Sequence, residues 1–389
     1  MTDDSNRIDA LDFLRGFAVM GMVLGNVVAI GLPSAASLSP LAPGGHGPLD
    51  LASWAFDFLL VDGKFRALFA MMFGASMLLA MESAELDGRD GMAAHRRRMI
   101  WLAIFGLADH LFLWSGDMLL PLALAGLGAT LLAGRDTFAL VKWAIGLLAV
   151  QWAIDLTALL PLFRGHGVSL MSGGMTLLST QEAAFYGSAY LTILQGRLSM
   201  LAGDLLHMAL FVIPELLAFM ALGMAMLKGG FLAAQWTAEQ YRATWRRAYL
   251  TGLIPMAGLA AWVLIARDPL ALAAAGSGWS VPLRLPLVVA HAALAIGIAI
   301  RFPDNPLVGA IRSLGRLALS NYLLSSLAAT TLFYGYGGGL FGRLDRAALM
   351  ALAVAGWGFM LLWSVAWRRW VGQGPAEWLW RRLAWRNAS

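Results

Sequence analysis

Cysteine is absent from the 389 residues, which excludes a disulfide framework, a thiol nucleophile and a cysteine-ligated metal. Charge is scarce too: Asp, Glu, Lys and Arg make up 13% of the chain against 59% hydrophobic residues. A soluble domain of that balance lacks the polar residues to cover its surface, so the composition asks for a bilayer as solvent. No phosphate loop ending in Gly-Lys-Ser/Thr, no paired-His zinc helix and no Gly-x-Ser-x-Gly elbow occurs. That argues against an ATP-driven pump and against hydrolases of familiar type, and no metal is expected. Gly337-Gly338-Gly339-Leu340-Phe341-Gly342 matches a dinucleotide pattern literally, but no strand precedes it and it reads as a turn.

What the chain has in quantity is long apolar runs. A hydrocarbon core of ~30 Å needs about 20 apolar helical residues. Such runs predict spans near 11–31, 64–82, 98–115, 117–134, 138–161, 201–227, 247–266, 283–301, 312–334 and 346–367. The expected fold class is therefore all-α, a polytopic membrane bundle of about ten transmembrane helices forming one domain over 1–389. With the N-terminus inside, 20 of the 28 Lys and Arg residues fall in inside connections and flanks, leaving eight outside. That asymmetry is the positive-inside pattern and puts both termini in the cytoplasm. The pI of about 9.8 then reads as topology rather than as a nucleic-acid surface, because the basic residues sit between apolar runs. The 16 Trp fit aromatic belts at the two interfaces. Residues 372–386, where Trp378, Trp380 and Trp385 alternate with Arg381, Arg382 and Arg386, read as a cytoplasmic interfacial amphipathic segment.

The first run resembles a secretory signal with small residues after it at 33–37. Asp3, Asp4, Asp9 and Asp12 in the leader oppose that reading, as does the further span beyond it, so a retained helix is expected.

Polar groups inside spans are costly, and function is the default hypothesis for them. Arg15 and Asn26 lie eleven residues apart on one face of the first span, ~16 Å apart along the axis. The bland alternative is a snorkelling Arg and an Asn bonded to a neighbouring helix. In the third span His110 stands twelve residues beyond Arg98, close to the eleven that separate Asn26 from Arg15, so one cavity is expected to join Arg15, Asn26 and His110. His110, Trp114 and Asp117 share a side if the helix continues that far, and a carboxylate beside a His suits a general base. A packing His is the alternative. Asp204, His207 and Glu215 form a rival stripe that could conduct protons, or simply a polar seam. Other candidates are Asp57, Arg66, Asn321 and Tyr322. His46 and Asp50 form a weak His-x-x-x-Asp string, because Pro48 prevents the helix that would join them. Gly21 and Gly25 make a Gly-x-x-x-Gly pair suited to close helix contact.

Several strings resemble the YeiB-like family of bacterial inner-membrane proteins, a group carrying a domain of unknown function. They are Leu11-Asp12-Phe13-Leu14-Arg15-Gly16, Phe73-Gly74-Ala75, His110 with Gly116-Asp117-Met118-Leu119-Leu120, Asn321-Tyr322-Leu323-Leu324, and Gly374-Pro375-Ala376-Glu377-Trp378. At one remove the run from Arg15 to Asn26 resembles the first helix of heparan-glucosaminide acetyltransferase. That relation implies a transmembrane acyltransferase using cytoplasmic acyl-CoA or acetyl-CoA, a hydroxyl or amine acceptor on an envelope glycan, lipid or small molecule, and a homodimer. Those acyltransferases place a working His on or just after the first helix, whereas this chain has Asn26 there and no His until His46. Under the resemblance His110 is the base, Asp117 its support, Asn26 the group at the thioester, and Arg15 the CoA-phosphate contact. The alternatives are a transporter or channel using the same residues, and a scaffold.

The topology has a direct check. Reporter fusions after residues 90, 135, 235, 305 and 385 are expected to signal cytoplasm, and fusions near 40, 180, 275 and 340 the outside. Reversal at two or more sites contradicts the arrangement.

Overall fold

The computed structural model describes residues 2–40, 42, 44–157 and 167–385. The protein is 82% helical, with no strand among the described residues. The helices run α1 (Thr2–Gly31), α2 (Ser34–Leu38), α3 (Pro48–Phe56), α4 (Lys64–Leu86), α5 (Gly91–Phe112), α6 (Leu119–Ala129), α7 (Thr137–Thr157), α8 (Gly167–Tyr186) and α9 (Tyr190–His207). They continue with α10 (Ile213–Lys228), α11 (Ala238–Ala266), α12 (Pro269–Ala273), α13 (Ser280–Arg301), α14 (Pro306–Arg316), α15 (Ala318–Phe333), α16 (Arg346–Trp370) and α17 (Pro375–Trp385). Wider π turns at Asp57–Val61, Met208–Val212 and Ala274–Trp279 interrupt three of the helical runs.

Among the described residues, seven runs are long and apolar enough to cross a membrane: Asp9–Gly31, Pro48–Leu86, Thr137–Thr157, Tyr190–Lys228, Ala238–Ala266, Ala271–Arg301 and Arg346–Trp370. This is a multi-pass membrane protein. The shorter helices depart from the expected spans for identifiable reasons. Asp90 caps α5 by accepting from the Ala93 N–H at 3.1 Å, so that helix begins seven residues before the apolar run at 98 and ends at Phe112. The stretch 312–334 is two helices, because the chain kinks at Leu317 between α14 and α15. α14 itself starts where Asn305 accepts from the Leu307 N–H at 2.9 Å, with Pro306 at the first helical position. The polar stretch 164–200, outside any expected span, holds α8 and the first half of α9. Pro214 sits at the start of α10, directly after a π turn, where the hydrogen bond it lacks is already absent.

α1 is the central helix: 67% of its apolar window is buried by protein, against 17% for α7 and 22% for α11 and α16, which face lipid. Around α1 pack α4, α13, α14, α15 and α16, while α10 packs on α4, α6 and α7, and α11 on α13. Two crossings need glycine. A Cβ at Gly16 would stand 2.1 Å from the Ile311 carbonyl oxygen, and one at Gly315 1.9 Å from that of Asp12, so α1 and α14 touch backbone to backbone. At the α4–α10 crossing Gly74 meets the Met220 carbonyl at 2.2 Å and Gly223 the Met71 carbonyl at 1.7 Å. Of the expected Gly21 and Gly25 pair, Gly21 lies under the Phe65 ring, while Gly25 has 3.6 Å of room to Val61.

Hydrogen bonds sort the connections into two ends. At one end Arg316 pairs with Asp9 and Asp12, Lys228 donates to the carbonyls of Ala133 and Arg135, and Glu377 caps the start of α15. At the other, buried Arg346 donates to the carbonyls of Ala36, Ser39, Gly44 and Gly45, and the Gly335 and Gly342 N–H groups donate to Tyr186 and Gly31 carbonyls. These two groups coincide with the expected inside and outside connections.

Gly223→Leu should wedge α4 from α10 and destabilise the bundle by ~1–3 kcal/mol or more. Gly146→Leu, with nothing within 4 Å of its Cβ position, should be near neutral. Thermal unfolding of both purified variants makes the comparison, and equal midpoints contradict the packing.

Candidate functional site

A cavity of about 230 Å³ opens at the Arg316 end of the bundle. Arg15 of α1, Arg98 of α5, Arg316 of α14 and Arg381 of α17 line it, with Glu377, Ser76 and Trp380 beside them. Its apolar wall is Phe69, Met72 and Phe73 of α4, Leu102 of α5, and Leu119 and Leu122 of α6, and Tyr322 of α15 also faces it. Arg15 is held by Asp12 at 3.0 Å and Ser76 at 3.2 Å. Arg316 is held by Asp12 at 2.5 Å and Asp9 at 2.8 Å. Two carboxylates thus fix two guanidinium groups and leave the cavity rich in positive charge. Such a site fits an anionic head group, which Arg binds by charge-assisted, often bidentate bonds, attached to an apolar tail.

The amphipathic α17 closes one side of this cavity. The Glu377 carboxylate accepts from the N–H groups of Leu319 and Ser320 and from the Ser320 hydroxyl. The Trp380 ring N–H donates to the Arg98 carbonyl at 2.9 Å, and the Arg98 guanidinium lies 4.7 Å over the ring.

Tyr322 joins the cavity to a buried polar cluster. Its hydroxyl accepts from the Met118 N–H at 3.0 Å and neighbours Asp117 and Asp109. Asp117 caps α6, accepting from the N–H groups of Leu119 and Leu120. Asp109 lies beside it, buried, with its carboxyl against that of Asp117. His110, fully buried, faces Asp204 of α9, with Nε2 3.2 Å from Oδ2. Nδ1 has no protein partner. The carboxylate is placed to accept from a ring N–H on Nε2. Nearby Arg197, 2% exposed, donates to the carbonyls of Leu111 and Leu113, tying off the end of α5.

The His110 partner is thus Asp204 and not Asp117. α5 ends at Phe112, where Leu113 and Trp114 both bond back to the Asp109 carbonyl, so Asp117 does not continue the His110 face. Nor does one cavity join Arg15, Asn26 and His110. Arg15 lines the cavity, whereas His110 and Asn26 do not. Asn26 is half-buried next to the Gly25–Val61 contact. The stripe of Asp204, His207 and Glu215 also divides. The π turn at Met208–Val212 adds a residue and rotates the downstream helix by about 100°, so His207 stacks on Phe211 and Glu215 turns to other partners.

Those partners make a second cluster, toward the Arg346 end. Glu215, 3% exposed, accepts from Arg66 at 2.5 Å and Arg284 at 3.1 Å. Asp62, Asp155 and Lys64 lie within electrostatic reach, and Asp57 borders Asp62 and Lys64. Asn321 is a helix-packing group, bonded to the Leu314 and Leu317 carbonyls and the Ser364 hydroxyl. Of the expected candidates, Arg15 and Tyr322 meet at the cavity, His110 and Asp117 at the adjoining cluster, and Asp57, Arg66 and Glu215 in the second cluster. Sequence reasoning missed Arg98, Arg316, Glu377 and Trp380 as cavity residues, and Asp109, Arg197 and Arg284 as buried charges. A signal for the last three was present, since each is a charge set in an apolar neighbourhood.

Removing the α17 contacts should loosen the cavity floor. In Trp380→Ala combined with Glu377→Gln, trypsin is expected to cut at Arg381 and Arg382 at least about tenfold faster, because exposure of a segment follows its opening equilibrium. An unchanged cleavage rate contradicts the floor.

A family model described as "Protein of unknown function (DUF418)" matches residues 226–387, from the end of α10 through α17. The uncharacterized protein YeiB of Escherichia coli (strain K12) is 31% identical over 386 residues, covering 97% of this chain and 96% of its own. The uncharacterized protein YxaH of Bacillus subtilis (strain 168) is 27% identical over 397 residues, covering 97% and 94%. An uncharacterized 39.9 kDa protein in the amylase 3' region of Bacillus acidopullulyticus is 26% identical over 379 residues, covering 97% and 93%. No solved structure matches this chain. With 31% identity sustained over nearly the whole of both chains, the protein belongs to the YeiB-like family.

Proposed function

We propose that this protein is a membrane acyltransferase of the bacterial inner membrane that takes an acyl group from cytoplasmic acyl-CoA and passes it to a hydroxyl or amine acceptor. The observation that carries the reading is the cavity of four arginines over an apolar wall. Acyl-CoA is an anionic phosphate head on an apolar tail, so its phosphates match Arg15, Arg98, Arg316 and Arg381, and its acyl chain matches Phe69, Met72, Leu102 and Leu122. The positive-inside pattern assigns that end to the cytoplasm.

His110 is the base of this scheme. Its Nδ1 takes the proton of the acceptor hydroxyl or amine as the acceptor oxygen or nitrogen bonds to the thioester carbon. The C–S bond then breaks, and CoA leaves as the thiolate that receives the proton. Asp204 holds the ring through Nε2 and stabilises its cation. Asp117 keeps the turn between α5 and α6 in place, and Tyr322 links that turn to the cavity. Asn26 lines neither the cavity nor the His110 contacts and has no role in this scheme.

The test uses purified protein in detergent with radiolabelled acetyl-CoA and longer acyl-CoA species. The parent is expected to bind, and Arg15→Ala with Arg98→Ala to weaken binding. His110→Ala should retain binding but lower transfer ~10²- to 10⁴-fold, the usual worth of general base catalysis. Asp204→Asn should cost less. A transporter using the same groups predicts no acyl-CoA binding, so a parent that fails to bind overturns the enzyme reading. Full transfer by His110→Ala removes the base.

A further inference from the structure

Each of the three π turns among the described residues opens onto the charged cluster around Glu215. Asp57–Val61 leads directly into Asp62, Lys64 and Arg66, Met208–Val212 ends three residues before Glu215, and Ala274–Trp279 ends five residues before Arg284. π turns cost regular hydrogen bonding and occur mostly where a side chain has to be re-aimed at a functional site. Three converging on one cluster, in a membrane where unsatisfied backbone is especially costly, mark it as more than packing.

One edge of the cluster is exposed. Asp62 is exposed inside the run Pro48–Leu86, and a carboxylate does not face acyl chains. Arg66 keeps 31% of its side chain exposed while bonded to Glu215. Four carboxylates, Asp57, Asp62, Asp155 and Glu215, stand against three cations, Lys64, Arg66 and Arg284. The near balance favours neither a strongly cationic nor a strongly anionic ligand. Among the described residues, no group of His, Cys, Asp or Glu is placed to hold a metal ion.

Donors and acceptors are left over in equal kind. Gln151, 2% exposed, gives its amide N–H to Asp155 at 2.9 Å and leaves Oε1 without a partner. Asp57 Oδ1 is another unused acceptor, and Arg66 Nε and Arg284 Nε are unused donors. Beside them Trp152, one turn before Asp155, donates to the Gly278 carbonyl at 2.7 Å and lies 6.2 Å from the Trp279 ring. Trp279 is 55% exposed. A hydroxyl both donates and accepts, so a ligand with several hydroxyls satisfies such a mixed set. An indole face packs against the C–H face of a ring.

We infer that this cluster is a binding site for a polyhydroxylated sugar head group, with Asp62, Arg66, Gln151 and Asp155 reaching its hydroxyls and Trp279 its apolar face. Calling that sugar the acyl acceptor rests on the acyltransferase reading, but the binding does not. The sugar has two sources, a soluble saccharide or the head group of a membrane glycolipid.

The experiment uses full-length protein in nanodiscs, free of sugar detergents and without acyl donor. Free maltose is followed by saturation-transfer NMR, and diglucosyl-diacylglycerol in the nanodisc lipid by native mass spectrometry. Binding of at least one probe is expected, with a loss of at least about fivefold in Asp62→Asn and in Trp279→Ala. Both variants change exposed side chains and leave the Glu215 ion pairs in place. Retention of maltose identifies a soluble source, and retention of the glycolipid alone identifies a lipid-anchored one. Failure of both probes, or unchanged binding in both variants, overturns the site. Acetyl-CoA binding on the same preparations separates that failure from failure of the acyltransferase reading.

Discussion

Glu215 is almost wholly buried, and in hydrocarbon an isolated carboxylate there would be too costly to keep charged. Arg66 and Arg284 each give it a hydrogen bond, and each of the three residues comes from a different helical run. Pairing of this kind organises the bundle. Asp12 holds Arg15 and Arg316 together at the opposite end, joining α1 to α14. Arg346 and Arg197, also buried, use carbonyls of loops and helix ends instead of carboxylates. Each partnership fixes a helix end or crossing whose position apolar packing leaves free, because lipid tails compete with side chains for every apolar surface.

The consequence is a protein with two chemically different ends. Around Arg316 the charges are fixed so that guanidinium groups face a partly apolar cavity, with α17 as its floor. Around Glu215 the balance is even, the aromatic neighbours are tryptophans, and the backbone is interrupted by π turns. Tyr322 links the cavity to Asp117 and Asp109 at the turn between α5 and α6, and the His110–Asp204 pair ties the end of α5 to α9.

Much of this was legible in the sequence, and the failures have physical causes. Apolar runs gave the helical membrane class, since hydropathy acts locally along the chain. Arg15, Tyr322, His110 and Asp117 stood out as polar groups in apolar surroundings, and the fold puts them in two adjoining places. Partners were beyond reach. Helical spacing assigned Asp117 to His110, but the helix stops at Phe112, and Asp204, 94 residues on, approaches from another helix. The Asp204–Glu215 stripe was drawn on an unbroken helix, and a π turn that no propensity announces rotated its end away. α5 starts ahead of the apolar run at 98 because a capping carboxylate, Asp90, sets where the helix begins.

The central claim is that the arginine-lined cavity holds a phosphate head at the cytoplasmic end with its acyl chain directed along α5 and α6. An acyl-CoA carrying a photoreactive diazirine at the end of its acyl chain tests this when irradiated with the protein and mapped by peptide mass spectrometry. The account expects label on the α5, α6 and α15 peptides containing Leu102, Leu122 and Tyr322, suppressed by excess unmodified acyl-CoA. Label confined to the lipid-facing α7, α11 or α16, or label insensitive to competition, would contradict it.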